Sequence, residues 1–300
     1  MAYRFRRKQS VRKNVARIAT EQIDEAISEL ADGSMDPHEA VHQVRKHYKK
    51  IRALLRLVRP ALGDIFAAEN AWFRNAGREL SRVRDAQSAI ETYDALMEHF
   101  AGQVDVSAFG SVRHRLTERK KQIADEQMPL SEQLDALASD LTEARGRVKK
   151  WVLEVNGFKA VSGGLGKTYS RARRALAGAY EQMTPEVFHE WRKRAKAHWY
   201  QVRLICPARP KVLKARRDNA KRLAEILGNE HDLSMFRDLL AEDRDSFGTA
   251  RNVDAMWELV NRRQAELRDE ARPLGKQLFA KKPKAFLRQI ADCWKAWQKK

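Results

Sequence analysis

One stretch of this chain is written twice. Laid together without a gap, residues 42–85 and 189–232 agree at 11 of 44 positions. The agreements include His42/His189, Arg45/Arg192, Lys46/Lys193, Lys49/Lys196, Arg56/Arg203, Pro60/Pro207, Leu80/Leu227 and Asp85/Asp232. An internal repeat of this length restricts the fold to two copies of one supersecondary unit that bury their apolar faces together. Two copies that drifted apart yet kept a histidine and four cations also mark where shared chemistry sits.

The repeated unit is helical. The 300 residues hold only 14 glycines and 8 prolines, and apolar residues recur at three- and four-residue spacing in nearly every long segment. No alternating strand pattern with hairpin turns is visible. The spacing predicts helices at about 8–31, 36–61, 64–101, 106–150, 160–182, 185–206, 211–241, 249–275 and 283–298. Asp36-Pro37 and Thr184-Pro185 each place a capping side chain before a proline suited to the first turn, and Pro60 and Pro207 end the helices those caps begin. The stretch from Asn156-Gly157 to Ser162-Gly163-Gly164 reads as the linker. The expected fold is all-α: two antiparallel four-helix-type bundles, 1–155 and 156–300, related by a pseudo-twofold axis and forming one domain.

The helix from Pro37 to Pro60 carries two parallel stripes. Val41, Val44, Tyr48, Ile51, Leu55 and Val58 step by three and four and form an apolar seam. One residue further round, about 100°, lie His42, Arg45, Lys49, Arg52, Arg56 and Arg59, widened by Lys46 and Lys50. In the second copy Phe188, Trp191, Ala195, His198, Val202 and Ile205 make the apolar seam. His189, Arg192, Lys193, Lys196 and Arg203 make the basic one, interrupted by Trp199 and Cys206. An ordinary solvated face mixes acids with bases, because i,i+4 pairs stabilise and like charges repel. The first stripe holds no acid, so it implies a bound anion. Its linear, duplicated form suits a linear polyanion, with arginine gripping oxygens through its planar fork and lysine adding mobile charge.

Composition agrees. Lys and Arg number 59 against 40 Asp and Glu, a net charge of +19, which points to a polyanionic partner and says nothing about fold. Two cysteines, Cys206 and Cys293, are too few for a disulfide framework. No run approaches the ~18 apolar residues of a membrane span, and the opening Met-Ala-Tyr-Arg-Phe-Arg-Arg-Lys lacks the apolar segment of a signal peptide. The expectation is a soluble cytoplasmic protein.

The residues His42, Arg45, Lys49, Lys50 and Arg52, repeated as His189, Arg192 and Lys196 and followed by Leu227-Gly228 and His231-Asp232-Leu233, resemble the conserved histidine α-helical domain family across about 1–298. The resemblance implies an all-helical two-bundle fold that binds inorganic polyphosphate through basic residues lining a groove or pore, and an association with polyphosphate granules. The chain departs from the pattern at Arg84, which stands where the second copy has His231, and at Trp199 and Cys206, which replace basic seam positions.

Other motifs carry less. His38-Glu39-Ala40-Val41-His42 matches the HExxH pattern of zinc peptidases, but Pro185 replaces His38 in the second copy, and Arg45, Lys46 and Lys49 would repel a metal cation. Ser162 to Thr168 resembles a phosphate loop without its spacing or its preceding strand. Lys167, Arg171 and Arg174 on the following helix are candidates to face the groove, and Lys221, which coincides with Arg74, is a candidate extension of the basic surface. Asp85 and Asp232 read as orienting a seam arginine or histidine. No nucleophile–base pair and no run of metal-holding acids suggests an enzyme, and no cofactor motif stands out. The leading expectation is therefore non-catalytic polyphosphate binding, tighter as pH falls through the histidine range near ~6.5. The alternative is an RNA- or DNA-binding helical protein, with Arg4, Arg6, Arg7, Lys8, Arg12 and Lys13 as a basic arm and Trp199 as a stacking platform.

Overall fold

The computed structural model describes residues 3–125 and 130–299, and within them every long element is an α-helix. In chain order these are α1 (Val11–Leu30), α2 (Pro37–Leu57), α3 (Arg59–Leu62), α4 (Ile65–Glu79), α5 (Ser81–His99), α6 (Gly110–Asp125), α7 (Leu130–Val148), α8 (Gly157–Gln182), α9 (Pro185–Ile205), α10 (Pro210–Glu242), α11 (Ala250–Leu278) and α12 (Pro283–Gln298). The all-α expectation holds. Three predicted helices are divided: 36–61 breaks at Val58, 64–101 breaks at Leu80, and the span 106–150 contains both α6 and α7, with the interval between them outside the described residues.

Several starts follow from local chemistry. Ser10 Oγ accepts from Lys13 N at 3.2 Å to cap α1, and Asp36 Oδ1 accepts from Glu39 N at 3.1 Å to cap α2. Thr184, expected to cap in the same way, makes no side-chain cap bond. Its hydroxyl bonds instead to the first-turn carboxylate Glu186 and helps to hold that acid below its usual range.

The glycine-rich linker is placed differently as well. The break lies at Asn156-Gly157, where Gly157 has φ 61°, while Ser162, Gly163 and Gly164 sit inside α8. Packing explains these glycines. A Cβ on Gly164 would stand 2.1 Å from Leu57 O and 2.3 Å from Arg56 O, and one on Gly166 would stand 2.8 Å from Leu287 Cδ1. Here α8 lies directly on the carboxyl end of α2, an approach only glycine permits.

The helices before 156 pack as α1 on α2 and α7, α2 on α4 and α5 on α6; those after it pack as α8 on α9 and α12, and α10 on α9 and α11. The two sets meet where α2 packs against α8 and α9, and where α5 packs against α10. The expected apolar seams hold this junction. Val44, Ile51, Leu55, Val58, Phe188, Trp191, Val202 and Ile205 are all fully buried, each large side chain contributing on the order of 1.5–3 kcal/mol. Buried side chains from both halves join in one continuous core, so α2 and α9 are central helices, each packed on both sides.

Candidate functional site

α2 packs against α9, and part of each basic stripe comes to the line where they meet. Lys49 lies there beside Lys196, Arg45 and Arg192, with Asp232 of α10 as the acid among them. Burial first, then these cations, pulls the Lys49 amine well below its ordinary range. Lys196 is held at about 8 by burial, then by Arg192, with Lys46 adding repulsion and Asp232 and Glu225 opposing. Arg192 is half-buried, and its Nε, shielded from solvent, has no hydrogen-bond partner among the described residues. Arg45 Nη1 donates to Gly77 O of α4 at 2.8 Å, which anchors the guanidinium at the seam. His42 is half-buried on the same helix, one turn before Lys46.

The second-copy histidines meet. His189 Nδ1 and His231 Nδ1 are 3.0 Å apart and the rings 4.1 Å apart, so one nitrogen donates to the other. Burial, then Lys193 and Arg192, holds His189 at about 4. Burial, then Arg192, His189, Lys193 and Lys49, holds His231 at about 3. Both rings are therefore neutral at ordinary pH in the free protein. Burial first, then the neighbouring cations, opposes a further positive charge and holds both rings below the ~6.5 of a free imidazole. Asp232 lies among Lys49, Lys196 and Arg192, whereas Asp85 is exposed on α5.

A second cationic group lies two helical turns along α2. Arg56 stands beside Arg194 and Arg171, with Glu190 as counter-charge, and burial followed by those arginines lowers its pKa to about 10. Arg171 also faces Arg59 and Arg174, and Lys167 faces Arg59 and Arg171. Arg56, Arg59, Lys167, Arg171 and Arg194 line one cavity of about 190 Å³ with Phe66, Asn70 and Thr168. Arg52, held at about 10 by burial, sits near Arg56, Arg74 and Arg78, its Nε reaching Asn70 Oδ1 at 3.5 Å.

Other expected residues are placed elsewhere. Lys50 points to the far side of α2, near Glu25, Glu29 and Arg203, where His47 Nε2 also meets Glu29 at 3.0 Å. Arg203 lies over the Tyr3 ring at 5.4 Å. Neither joins the seam, because α1 and the amino-terminal segment cover that face. Lys193 is exposed and pairs with Glu190 at 2.8 Å, and Lys221 is exposed and pairs with Glu225 at 3.3 Å. Arg174 is exposed at the margin of the second group. The proposed basic arm is not a tail: Tyr3 and Phe5 are buried, Tyr3 Oη donates to Lys50 O at 2.8 Å and Phe5 N donates to Leu204 O at 3.0 Å. Trp199 is half-buried and stacked on Tyr200 at 4.5 Å. The side chains of His38 and Arg84 lie outside the described residues. Arg194 is the residue that the repeat comparison passed over, because its counterpart is His47 and it breaks the copied pattern.

A second cavity of about 450 Å³ between α5, α10 and α11 touches the seam at Asp232 and has a mixed lining of Glu91, Glu98, His99 and Arg263 with apolar groups such as Leu96 and Leu267. Lys49, Lys196, Arg45 and Arg192 of the seam do not line this cavity, whose own cation is Arg263. Among the described residues no helix is long and apolar enough to cross a membrane, and no group of three or more His, Cys, Asp or Glu side chains is placed to hold a metal ion.

Fold and site together define an all-α protein whose two halves enclose a cationic seam. The CHAD domain family model matches residues 16–241, and the chain belongs to that family. The crystal structure of the CHAD domain from the plant Ricinus communis superposes with a TM-score of 0.61 over 92% of this chain and 94% of that one, at 17% identity, a likeness of fold. Two uncharacterized proteins of Mycobacterium tuberculosis, from strains CDC 1551 / Oshkosh and ATCC 25618 / H37Rv, are each 26% identical over 282 residues, which is 86% of this chain. The chain spans about half the length of these curated relatives.

Proposed function

We propose that this protein binds inorganic polyphosphate, without catalysis, along the seam between α2 and α9. The observation that carries this reading is the placement of Lys49, Lys196, Arg45 and Arg192 side by side in a half-buried position with Asp232 as the acid among them. Like charges held together out of water destabilise a fold, and an anion in the seam relieves both the repulsion and the unpartnered Arg192 Nε. From Lys49 to Arg56 is seven residues, about 10 Å along the helix; on α9, Arg192 and Lys196 belong to the first cationic group and Arg194 to the second. That spacing serves repeated phosphates better than one compact ligand. The same binding would recruit the protein to polyphosphate granules in the cytoplasm.

The test is competition binding at physiological salt, wild type against Arg45→Glu/Arg192→Glu, with long-chain polyphosphate as ligand and tRNA or single-stranded DNA as competitor. The expected result is polyphosphate binding that survives a phosphate-matched excess of nucleic acid and collapses in the variant. Equal displacement by tRNA would overturn it in favour of a nucleic-acid ligand.

A further inference from the structure

The cavity at the far end of the seam differs from the track that leads to it. Its five cations come from four separate helices: Arg56 from α2, Arg59 from α3, Lys167 and Arg171 from α8, and Arg194 from α9. They therefore converge on one point instead of running along a line. Its volume of about 190 Å³ far exceeds the ~10–15 Å³ that one water needs, which leaves room for a multi-atom anion. The acid that faces this group is Glu190, which is already engaged by Lys193 and Arg194.

The lining is positioned in advance. The Arg59 guanidinium lies 4.7 Å from the centroid of the Phe66 ring, a stacking contact that holds it in place. The Thr168 hydroxyl accepts from Gln201 Nε2 at 3.1 Å, which leaves its own proton to donate. Gly164 lets α8 press onto the carboxyl end of α2, and that close approach brings Lys167 and Arg171 to Arg56.

An interior phosphate of a condensed chain carries a single charge, whereas a terminal phosphate titrates a second time near pH ~6 and offers three outer oxygens. We propose that this cavity is an end-group site, which takes the doubly ionised terminal phosphate of a condensed phosphate while Lys49 and Lys196 hold the middle of the chain. The mid-chain part rests on the polyphosphate reading above. The end group itself can come from a long chain or from free pyrophosphate, and the two are told apart by direct titration of each.

The experiment is calorimetric titration of the full chain at pH 7.5 and fixed salt with three probes: long-chain polyphosphate, linear pyrophosphate and cyclic trimetaphosphate. The last two carry similar charge, about three each, but the ring has no ends. Pyrophosphate should bind at least tenfold more tightly than trimetaphosphate, and Lys167→Ala/Arg171→Ala should abolish that difference. Lys167 is exposed, so the single Lys167→Ala variant keeps the fold and should show a partial loss. Lys196→Met, in the mid-chain group, should weaken long-chain binding and leave pyrophosphate unchanged. Equal affinity for the linear and cyclic probes, or a preference untouched by the double variant, would overturn the end-group site even if long chains bind. Failure of long chains with an intact pyrophosphate preference would instead sink the seam reading and leave the end-group site standing.

Discussion

Replacing Lys196 by methionine should make the free protein more stable and a poorer polyanion receptor. Burial, then Arg192, lowers the Lys196 amine from its ordinary 10.5 to about 8. A folded pKa below the unfolded one means that the unfolded chain holds the proton more tightly. The charged lysine therefore destabilises the fold at pH 7, and stability on its account rises as pH climbs from 8 to 10.5. The 2.5-unit gap at 1.36 kcal/mol per unit corresponds to about 3 kcal/mol. Methionine has similar reach and no charge, so Lys196→Met should raise Tm at pH 7 by on the order of 5 °C and flatten the pH dependence of stability between 8 and 10.5. Binding should move the other way. An anion raises the lysine pKa, so wild-type affinity is constant with respect to this group below pH 8 and falls by up to tenfold per pH unit above it; the variant lacks this dependence and starts weaker. Thermal melts at pH 7, 9 and 10, with and without long-chain polyphosphate, and titrations at pH 7 and 9 read both effects. A variant that melts lower at pH 7, or wild-type affinity unchanged between pH 7 and 9, would refute the picture of a desolvated lysine that an anion relieves.

Other outcomes follow from the same geometry. Gly164→Ala should destabilise by about 3 kcal/mol or more, since its Cβ would stand 2.1 Å from Leu57 O; denaturant midpoints measure this, and a near-neutral result would mean that α8 shifts freely over α2. Arg268→Met removes the guanidinium that donates to buried Glu230 Oε1 at 2.6 and 2.9 Å, which should cost about 3–5 kcal/mol. Adding Glu230→Gln should recover part of that loss, because burial already raises the Glu230 pKa despite Arg268; no recovery in the double variant would contradict this. His189 and His231 stay neutral in the free protein until about pH 4 and 3. Affinity should thus rise as pH drops below the bound-state pKa of the pair and level off only below about 3, with His189→Asn/His231→Asn removing the rise. Polyphosphate affinity should fall linearly on a log–log plot against salt through released counterions, and an affinity indifferent to salt would argue against ionic gripping.

The helices and the identity of the seam were legible in the sequence because helical periodicity is local. Val44, Ile51 and Leu55 at three- and four-residue spacing can only be one face of a helix, and all are buried. That Lys49 and Lys196 belong together was legible from the repeat, and they are neighbours in the fold. The repeat misled where the two copies have different surroundings. Arg56 and Arg203 match in sequence, yet Arg56 faces Arg194 and Arg171 while Arg203 lies on Tyr3. The glycines at 163 and 164 look like a linker because local sequence cannot distinguish a glycine needed for a turn from one needed for a close crossing; only the carbonyls of Arg56 and Leu57 make that distinction. Sequence alone therefore determined the helical class of the chain, which stripes are apolar and which are basic. Tertiary structure decided which cations face one another, since convergence on the cavity depends on four helices meeting. It also decided the protonation of His189 and His231, since burial among Arg192, Lys193 and Lys49 is a property of the packed molecule and not of the chain.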